Sequence, residues 1–464
     1  MNYNLLFAVI APREVVFFSN IADFLKDNYG INSSFLTFYE PGDKILKRKG
    51  YKVFSLHKEA KKFYIEANVY NVKKLEEKFK ISNIRSLILH EKLTFQRYDE
   101  QKLITKLLSY DAYFNHILKN NKFDFIVQEL GAFIAPISLY FSARAMKVNH
   151  IFIEPALFRG YVFFNFNNID VNIEKVMSSY DMAKSIINDY HNQYHKFKTI
   201  AVPLKDKHHF MDAGLKKIIN MRNIKRLSEK LYYKYVRREK EEYDAIYNHF
   251  ERNLMSVIRR TALTSLYTKY NIGKKYVYFP LHVPLDFQLT FREPRYLNQI
   301  AIVEYLSNVL PYDIELFIKE HPASIGAYDY WQLKKILKNN NIKLISPEVN
   351  SYDIIKNSMF VITINSKVGV EALFQGKKVY ALGSPYYLSN KYAVKLGSLD
   401  DVKKLDFSPE SYTNLFYDEE FFKQLATSVS KGELYVNTSE NIENFSKSLV
   451  EVIKNESIAH QSAV

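Results

Sequence analysis

Two α/β units of similar size, each a parallel sheet with helices on both faces, are predicted by three features of this sequence. Short β-like runs alternate with helix-length spacers up to about residue 170. That alternation gives way to helical periodicity from about Val171 to Thr268, and it returns from Gly273. The 464 residues suffice for two or three domains and a large buried core.

Asn4–Ile10 reads as the first strand, followed by a helix from about Glu14 to Lys26 with Val15, Phe18, Ile21, Phe24 and Leu25 on one face. Ser34–Tyr39 is a second strand, closed by a turn at Pro41-Gly42-Asp43, and Tyr51–Ser55 is a third. Phe123–Gln128 and His150–Glu154 complete the first set. In the helical stretch, Leu215, Ile218, Ile219, Leu227, Leu231 and Tyr235 recur at helical spacing among many Lys and Arg residues. Two readings stay open there: a helix packed by its apolar face with a solvated basic face, or a segment lying on an anionic membrane surface. Tyr276–Val283, Ile314–Lys319, Lys343–Ser346, Phe360–Ile364 and Lys378–Leu382 are the strands of the second unit. The divisions expected are 1–170, 171–270 (basic helical insert), 271–400 and 401–464 (C-terminal helices). Two Rossmann-like units joined in this way make a GT-B-like layout, as in nucleotide-sugar glycosyltransferases.

Composition narrows the chemistry. The net charge of +15 points to polyanionic partners: nucleic acid, anionic lipid, phosphorylated donors or acidic glycans. With no cysteine, disulfides, thiolate catalysis and cysteine-ligated metal are excluded. The start of the chain lacks a basic region and a cleavage site, so no signal peptide is read there. The longest apolar runs, such as Phe133–Phe141, are half of the ~20 residues a membrane span needs. A cytoplasmic protein, peripheral on the inner membrane, is expected. No Gly-x-Gly-x-x-Gly, P-loop or Gly-x-Ser-x-Gly sequence occurs, nor any nucleic-acid-binding motif. The absence of Asp-x-Asp argues against a bridging metal, and no cofactor is expected. His191 and His195 stand i, i+4, but Asn192 occupies the place of a zincin glutamate. With His208 and His209 they read as a surface cluster.

Three constellations in the second unit carry candidate chemistry. Lys319-Glu320-His321-Pro322 follows a strand, where ligands of open α/β sheets sit. There an imidazole N–H can donate to a phosphate and Lys319 adds charge. Thr363-x2-Ser366-x2-Gly369-x-Glu371 reads as a strand end, a polar turn and a helix start. This arrangement offers amides and hydroxyls to a nucleotide phosphate and a carboxylate to ribose. Ser366 as a helix cap is the bland alternative. His282-x3-Asp286 ends the first strand of the unit, where Asp286 can serve as nucleophile or general base.

Together with Gly376-Lys377-Lys378-Val379 and Gly383-x2-Tyr386, these residues resemble the capsule polysaccharide biosynthesis family, which includes retaining β-Kdo transferases. The resemblance covers 275–387 well and 1–160 loosely, through Ala11-Pro12, Phe17-Phe18 and Glu154-Pro155-Ala156-Leu157-Phe158-Arg159. The helical insert matches nothing in it. It implies that His321 and Ser366 hold the nucleotide phosphate, with Lys319, Pro322, Thr363 and Gly369 beside them. Glu371 would contact the ribose. Asp286, with His282, would lie at the reacting sugar, and Glu154 and Arg159 would form an acidic–basic pair on the acceptor side. Two positions depart from the family pattern: His282 replaces Gln, and Pro155-Ala156 replaces Asp-Gly. The expected partners are a CMP-, CDP- or UDP-linked sugar donor, CMP-Kdo among them, and a glycan or glycolipid acceptor. The alternatives are a transferase of another activated unit, of the CDP-glycerol type, and a non-catalytic polysaccharide assembly or export factor.

Overall fold

The computed structural model describes residues 3–173, 180–198, 221–238, 242, 246–271, 273–412, 415 and 417–462. Two sheets organise it. The first takes β1 (Asn4–Val9), β2 (Asn32–Thr37), β3 (Lys52–Ser55), β4 (Phe125–Glu129), β5 (Asn149–Pro155) and β6 (Tyr161–Phe166). The second takes β7 (Tyr276–Pro280), β8 (Glu315–Lys319), β9 (Ile342–Leu344), β10 (Val361–Thr363), β11 (Val379–Ala381) and β12 (Ala393–Lys395). A short β13 (Ser430–Lys431) returns to the first sheet. Every β-like run read from the sequence forms a strand, with ends shifted by up to a few residues.

The first sheet runs β13-β6-β5-β4-β1-β2-β3 and the second β12-β11-β10-β7-β8-β9. Pairing is parallel throughout the second sheet and from β3 to β5 in the first. Both β6 and β13 are antiparallel additions at one edge. Helices cover both faces, so central strands such as β1 and β7 are buried almost along their whole length. On β1, Leu6 and Ala8 face one core layer with Leu36 and Phe38, while Leu5, Phe7 and Val9 face another with Phe17 and Phe18.

The structure corrects one local expectation. Pro41-Gly42-Asp43 is not a turn but the first turn of a helix, Glu40–Arg48. Proline is tolerated there because its missing N–H would be unpaired anyway. Gly42 is required by close packing, since a Cβ would meet the Tyr39 ring at 2.9 Å and Val15 at 3.0 Å. Asp43 accepts hydrogen bonds from Thr37 and Ser55 at the ends of β2 and β3.

The end of the chain belongs to the first lobe. Helix Ser439–Ser462 lays Phe445, Leu449 and Ile453 into the layer of Phe17 and Phe18. The Phe17 and Phe445 rings meet edge-on at 5.1 Å. Helix Tyr180–Phe197 instead packs Tyr190 and Tyr194 on Phe374 of the second lobe. Leu215, Ile218, Ile219, His208 and His209 lie outside the described residues. Among those described, no helix is long and apolar enough to cross a membrane.

Candidate active site

In a doubly wound sheet the strand order reverses at one point, and the crevice beyond the carboxyl ends of the strands opens there. In the second sheet that point lies between β7 and β10, with β8 next to β7. The three sequence constellations follow these three strands directly. In the first lobe Glu154 stands near the carboxyl end of β5.

His282 locks the loops together. Its Nε2 accepts from Asn365 N at 3.3 Å, its own N–H donates to Gln299 Oε1 at 2.7 Å, and its carbonyl accepts from Tyr328 at 2.7 Å. Burial, with the neighbouring His321 adding to it, pushes its pKa down to about 3. His282 thus stays neutral with its proton on Nδ1, and it holds the β7 and β10 loops instead of lying exposed beside a substrate. His321, half-buried, accepts from Ala323 N through Nδ1 at 3.2 Å. Its neutral tautomer therefore carries the proton on Nε2. Since His282 touches Asn365 and feels His321, it links the His321 loop to the Ser366 turn. Pro322 is exposed and starts a short 3-10 turn.

The turn after β10 is built for close approach. Thr363, fully buried, accepts from Ser366 N at 3.2 Å, and Ser366 Oγ accepts from Val368 N at 3.2 Å. Ser366 Oγ thus takes the first amide of a two-turn helix, Val368–Phe374, whose N-cap position is Lys367. A Cβ on Gly369 would stand 2.3 Å from the Tyr387 hydroxyl, which donates to Ser366 O at 2.8 Å.

Lys319 and Glu371 are both buried. Lys319 is 3% exposed and Nζ donates to Val349 O and, at 3.0 Å, to Ser351 Oγ. Burial lowers its pKa to about 8, while Glu371 pulls it upward. Glu371 is 6% exposed, and burial raises its pKa to about 7 against the pull of Lys319 and a hydrogen bond with Tyr194. The enclosed ammonium feels the charge of Glu371.

The charged cluster at the mouth joins both lobes. Asp286 follows Leu285, whose φ of +66° is a strained value for a bulky residue. Its carbonyl accepts from Leu289 N and Thr290 N, which anchors the turn. Burial pushes the Asp286 carboxyl up and the Glu154 charge adds to that, while the Phe287 N–H, Arg292 and Lys367 pull it down. Arg292 reaches across to the first lobe, 3.1 Å from Glu154 and 2.9 Å from Asp170, and donates to Ile169 O. Thr290 Oγ1 meets His90 Nδ1 of the first lobe at 2.8 Å. The buried Tyr386 hydroxyl, without a hydrogen-bond partner, lies in the field of Glu154.

The guanidinium paired with Glu154 is therefore that of Arg292. Arg159 is exposed, on the turn between β5 and β6. Sequence reasoning missed Arg292, Lys367 and Gln299, and left Tyr386 without a role. Arg292 alone had a legible signal, as a cation six residues past Asp286 in an aromatic stretch. His191 and His195 bond to each other, Nε2 to Nε2 at 3.1 Å, and His195 Nδ1 meets Tyr352.

Residues 177–390 match the family model described as capsule polysaccharide biosynthesis protein. Protein FixF of Sinorhizobium fredii is 28% identical over 143 residues, 30% of this chain and 33% of FixF. Capsule polysaccharide modification protein LipA of Neisseria meningitidis is 24% identical over 106 residues, 22% of this chain and 15% of LipA. The chain thus spans a third or less of these curated relatives. Among solved structures, the β-Kdo 2,7 transferase KpsC of Thermosulfurimonas dismutans is 12% identical, covering 83% of this chain and 97% of that one with a TM-score of 0.34. The UDP-GlcNAc 2-epimerase of Neisseria meningitidis, bound to UDP-GlcNAc, is 13% identical, covering 98% and 100% with a TM-score of 0.29. Scores this low carry no argument about the site. The family match takes in the helical stretch from 177 to 270, which corrects the expectation that this stretch matches nothing in the family, and it does not reach 1–160. Over 177–390, the stretch that holds Asp286, His321, Ser366 and Glu371, the chain carries the pattern of the capsule polysaccharide biosynthesis family.

Proposed function

We propose that this protein is a glycosyltransferase that moves a sugar from a nucleotide-linked donor to a capsule or related surface glycan. The observation that carries this reading is the mouth cluster. The Asp286 carboxylate stands between the charges of Glu154, Arg292 and Lys367 at the carboxyl ends of both sheets, inside a family-matched stretch.

In this reading the donor phosphate takes the Nε2–H of His321 and the Ser366 turn, and Glu371 faces the ribose with Lys319 as its counter-charge. As the bond from sugar to phosphate breaks, negative charge grows on the nucleotide and fixed donors stabilise it. Asp286 either forms a bond to the anomeric carbon or takes the proton of the acceptor hydroxyl as that oxygen bonds there. The unpartnered Tyr386 hydroxyl and Glu154 orient the acceptor. The family match over residues 177–390 and the enclosed, electrically balanced carboxylate support this reading over a non-catalytic one.

The test is incubation with CMP-, CDP- and UDP-linked sugars and glycan acceptors, scored for nucleotide release. Release that depends on acceptor and is lost in Asp286→Ala is expected. A glycosyl–Asp286 adduct, trapped by mass spectrometry, would mark it as the nucleophile. Release only from a CDP-linked polyol would replace the sugar by another activated unit. No release from any pair would refute the transferase.

A further inference from the structure

We infer that residues 221–238 and the outer stripe of helix Ile246–Leu263 form a docking face for an anionic lipid bilayer, placed so that the cleft opens at the lipid surface. The docking is independent of the proposed chemistry; its use, the presentation of a lipid-linked acceptor, rests on that reading.

Of the two readings open for the basic helix, the packed one fails among the described residues. Helix Met221–Leu231 exposes its apolar side chains: Met221 is 80% exposed, Ile224 47%, and Leu227 and Leu231 39% each. At 3.6 residues per turn these four occupy an arc of roughly 120°. Lys225 and Lys230 stand just beyond its two borders. The helix runs on into Tyr232–Val236, where Tyr235 and Val236 are also exposed. Helix Ile246–Leu263 adds Phe250, Leu254 and Ile258, exposed at successive i, i+4 positions. Exposed apolar stripes of this kind mark a surface meant to be covered.

Charge selects the cover. Residues 221–238 hold seven cations (Arg222, Lys225, Arg226, Lys230, Lys234, Arg237 and Arg238) against one acid, Glu229. A second copy would bring like charges face to face. Nucleic acid would match the charge but offers no apolar phase to the stripe. A bilayer with anionic headgroups supplies both, and an amphipathic helix of this composition lies in its interface with aromatic side chains at headgroup level.

The site of the face gives it a use. Ser256 donates to Ile325 O at 2.7 Å, four residues past His321, and Arg252 donates to Thr94 O of the first lobe. The same helix thus touches both lobes at the cleft. The backbone N–H of Glu242 donates to Phe38 O at 2.8 Å, beyond the end of β2. Arg238 is four residues before it, so the basic segment ends within about 14 Å of the crevice edge.

The test is co-sedimentation of the full-length protein with phosphatidylcholine vesicles, with and without phosphatidylglycerol. Binding is expected only with the anionic lipid, and high salt weakens it. Lys225→Gln and Lys230→Gln each lower the partition coefficient about five-fold, the worth of one cation near such a surface. Ile224→Glu abolishes binding, with an unchanged thermal melt to show that the fold is intact. In a Trp331→Phe background, Ile224→Trp shifts its emission to the blue on anionic vesicles. The inference is overturned by equal binding to both vesicle types, by wild-type binding of Ile224→Glu, by a dimer that Ile224→Glu dissolves, or by binding to RNA alone. Sedimentation reads no turnover, so its failure leaves the transferase standing, and failed nucleotide release leaves the docking standing.

Discussion

Arg292→Gln isolates the bridge between the lobes. The native guanidinium lies 3.1 Å from Glu154, with the two side chains 11% and 18% exposed. Removing one partner of so enclosed a pair leaves a stranded carboxylate and costs about 3–5 kcal/mol. The Asp170 contact, 66% exposed on the acid's side, adds no more than about 1 kcal/mol. In the double variant Arg292→Gln/Glu154→Gln the Glu154 charge is gone as well, so most of the loss returns, and a cycle of urea unfolding measures a coupling of about 2–3 kcal/mol. The same substitution acts on Asp286, whose carboxyl Arg292 pulls down. Without that cation the Asp286 pKa rises further, so the acidic limb of the pH–rate profile moves to higher pH. A coupling near zero, or an acidic limb that stays in place, would refute the cluster as described.

Four further outcomes follow from the same geometry. Asp286→Ala, assayed by nucleotide release, lowers kcat by at least about a hundred-fold if the carboxylate acts at the reacting carbon or proton. Gly369→Ala places a Cβ 2.3 Å from the Tyr387 hydroxyl and 2.5 Å from the adjoining ring carbon. It destabilises by about 1–3 kcal/mol in a thermal or urea melt, and Tyr387→Leu in the same chain relieves part of that. Tyr386→Phe removes a buried hydroxyl that has no partner. It leaves the melting temperature unchanged or higher while lowering kcat/KM. Glu371 holds its proton more tightly folded than unfolded, with a pKa raised from 4.5 to about 7. Its contribution to stability therefore falls as pH rises from about 4.5 to about 7 and is level above. In Glu371→Gln the decline of the melting temperature across that window is shallower than in the native protein.

The strands read between Asn4 and Leu382 were legible because each holds a short apolar run set off by turns or helix-length spacers, and burial on both faces writes that pattern into the sequence. The strand β6 was missed because Tyr161–Phe166 follows β5 with no helix-length spacer between them, and β13 because two residues carry no periodicity. The helix at Glu40–Arg48 was misread since Pro-Gly-Asp signals a turn wherever packing is ignored. Only the Tyr39 and Val15 contacts reveal why that glycine is there. In the site, residues directly after strands were legible, because strand ends point into the crevice. What each one touches was not. Lys319 carries the charge of a phosphate ligand, but its burial beside Glu371 is a property of the folded second lobe. Arg292 meets Glu154 only through the docking of one lobe on the other, over 138 residues of chain.

The return of the chain's end to the first lobe makes that lobe discontinuous in sequence. Residues 3–166 leave the Tyr161–Phe166 edge and the Phe17 layer open until Ser430–Lys431 and Ser439–Ser462 arrive to close them. During synthesis the first half therefore waits, half-covered, until residues 430–462 have emerged. Genes cut at the apparent border between the units will yield aggregates, while a circular permutant that links residue 462 to residue 3 keeps the first lobe whole.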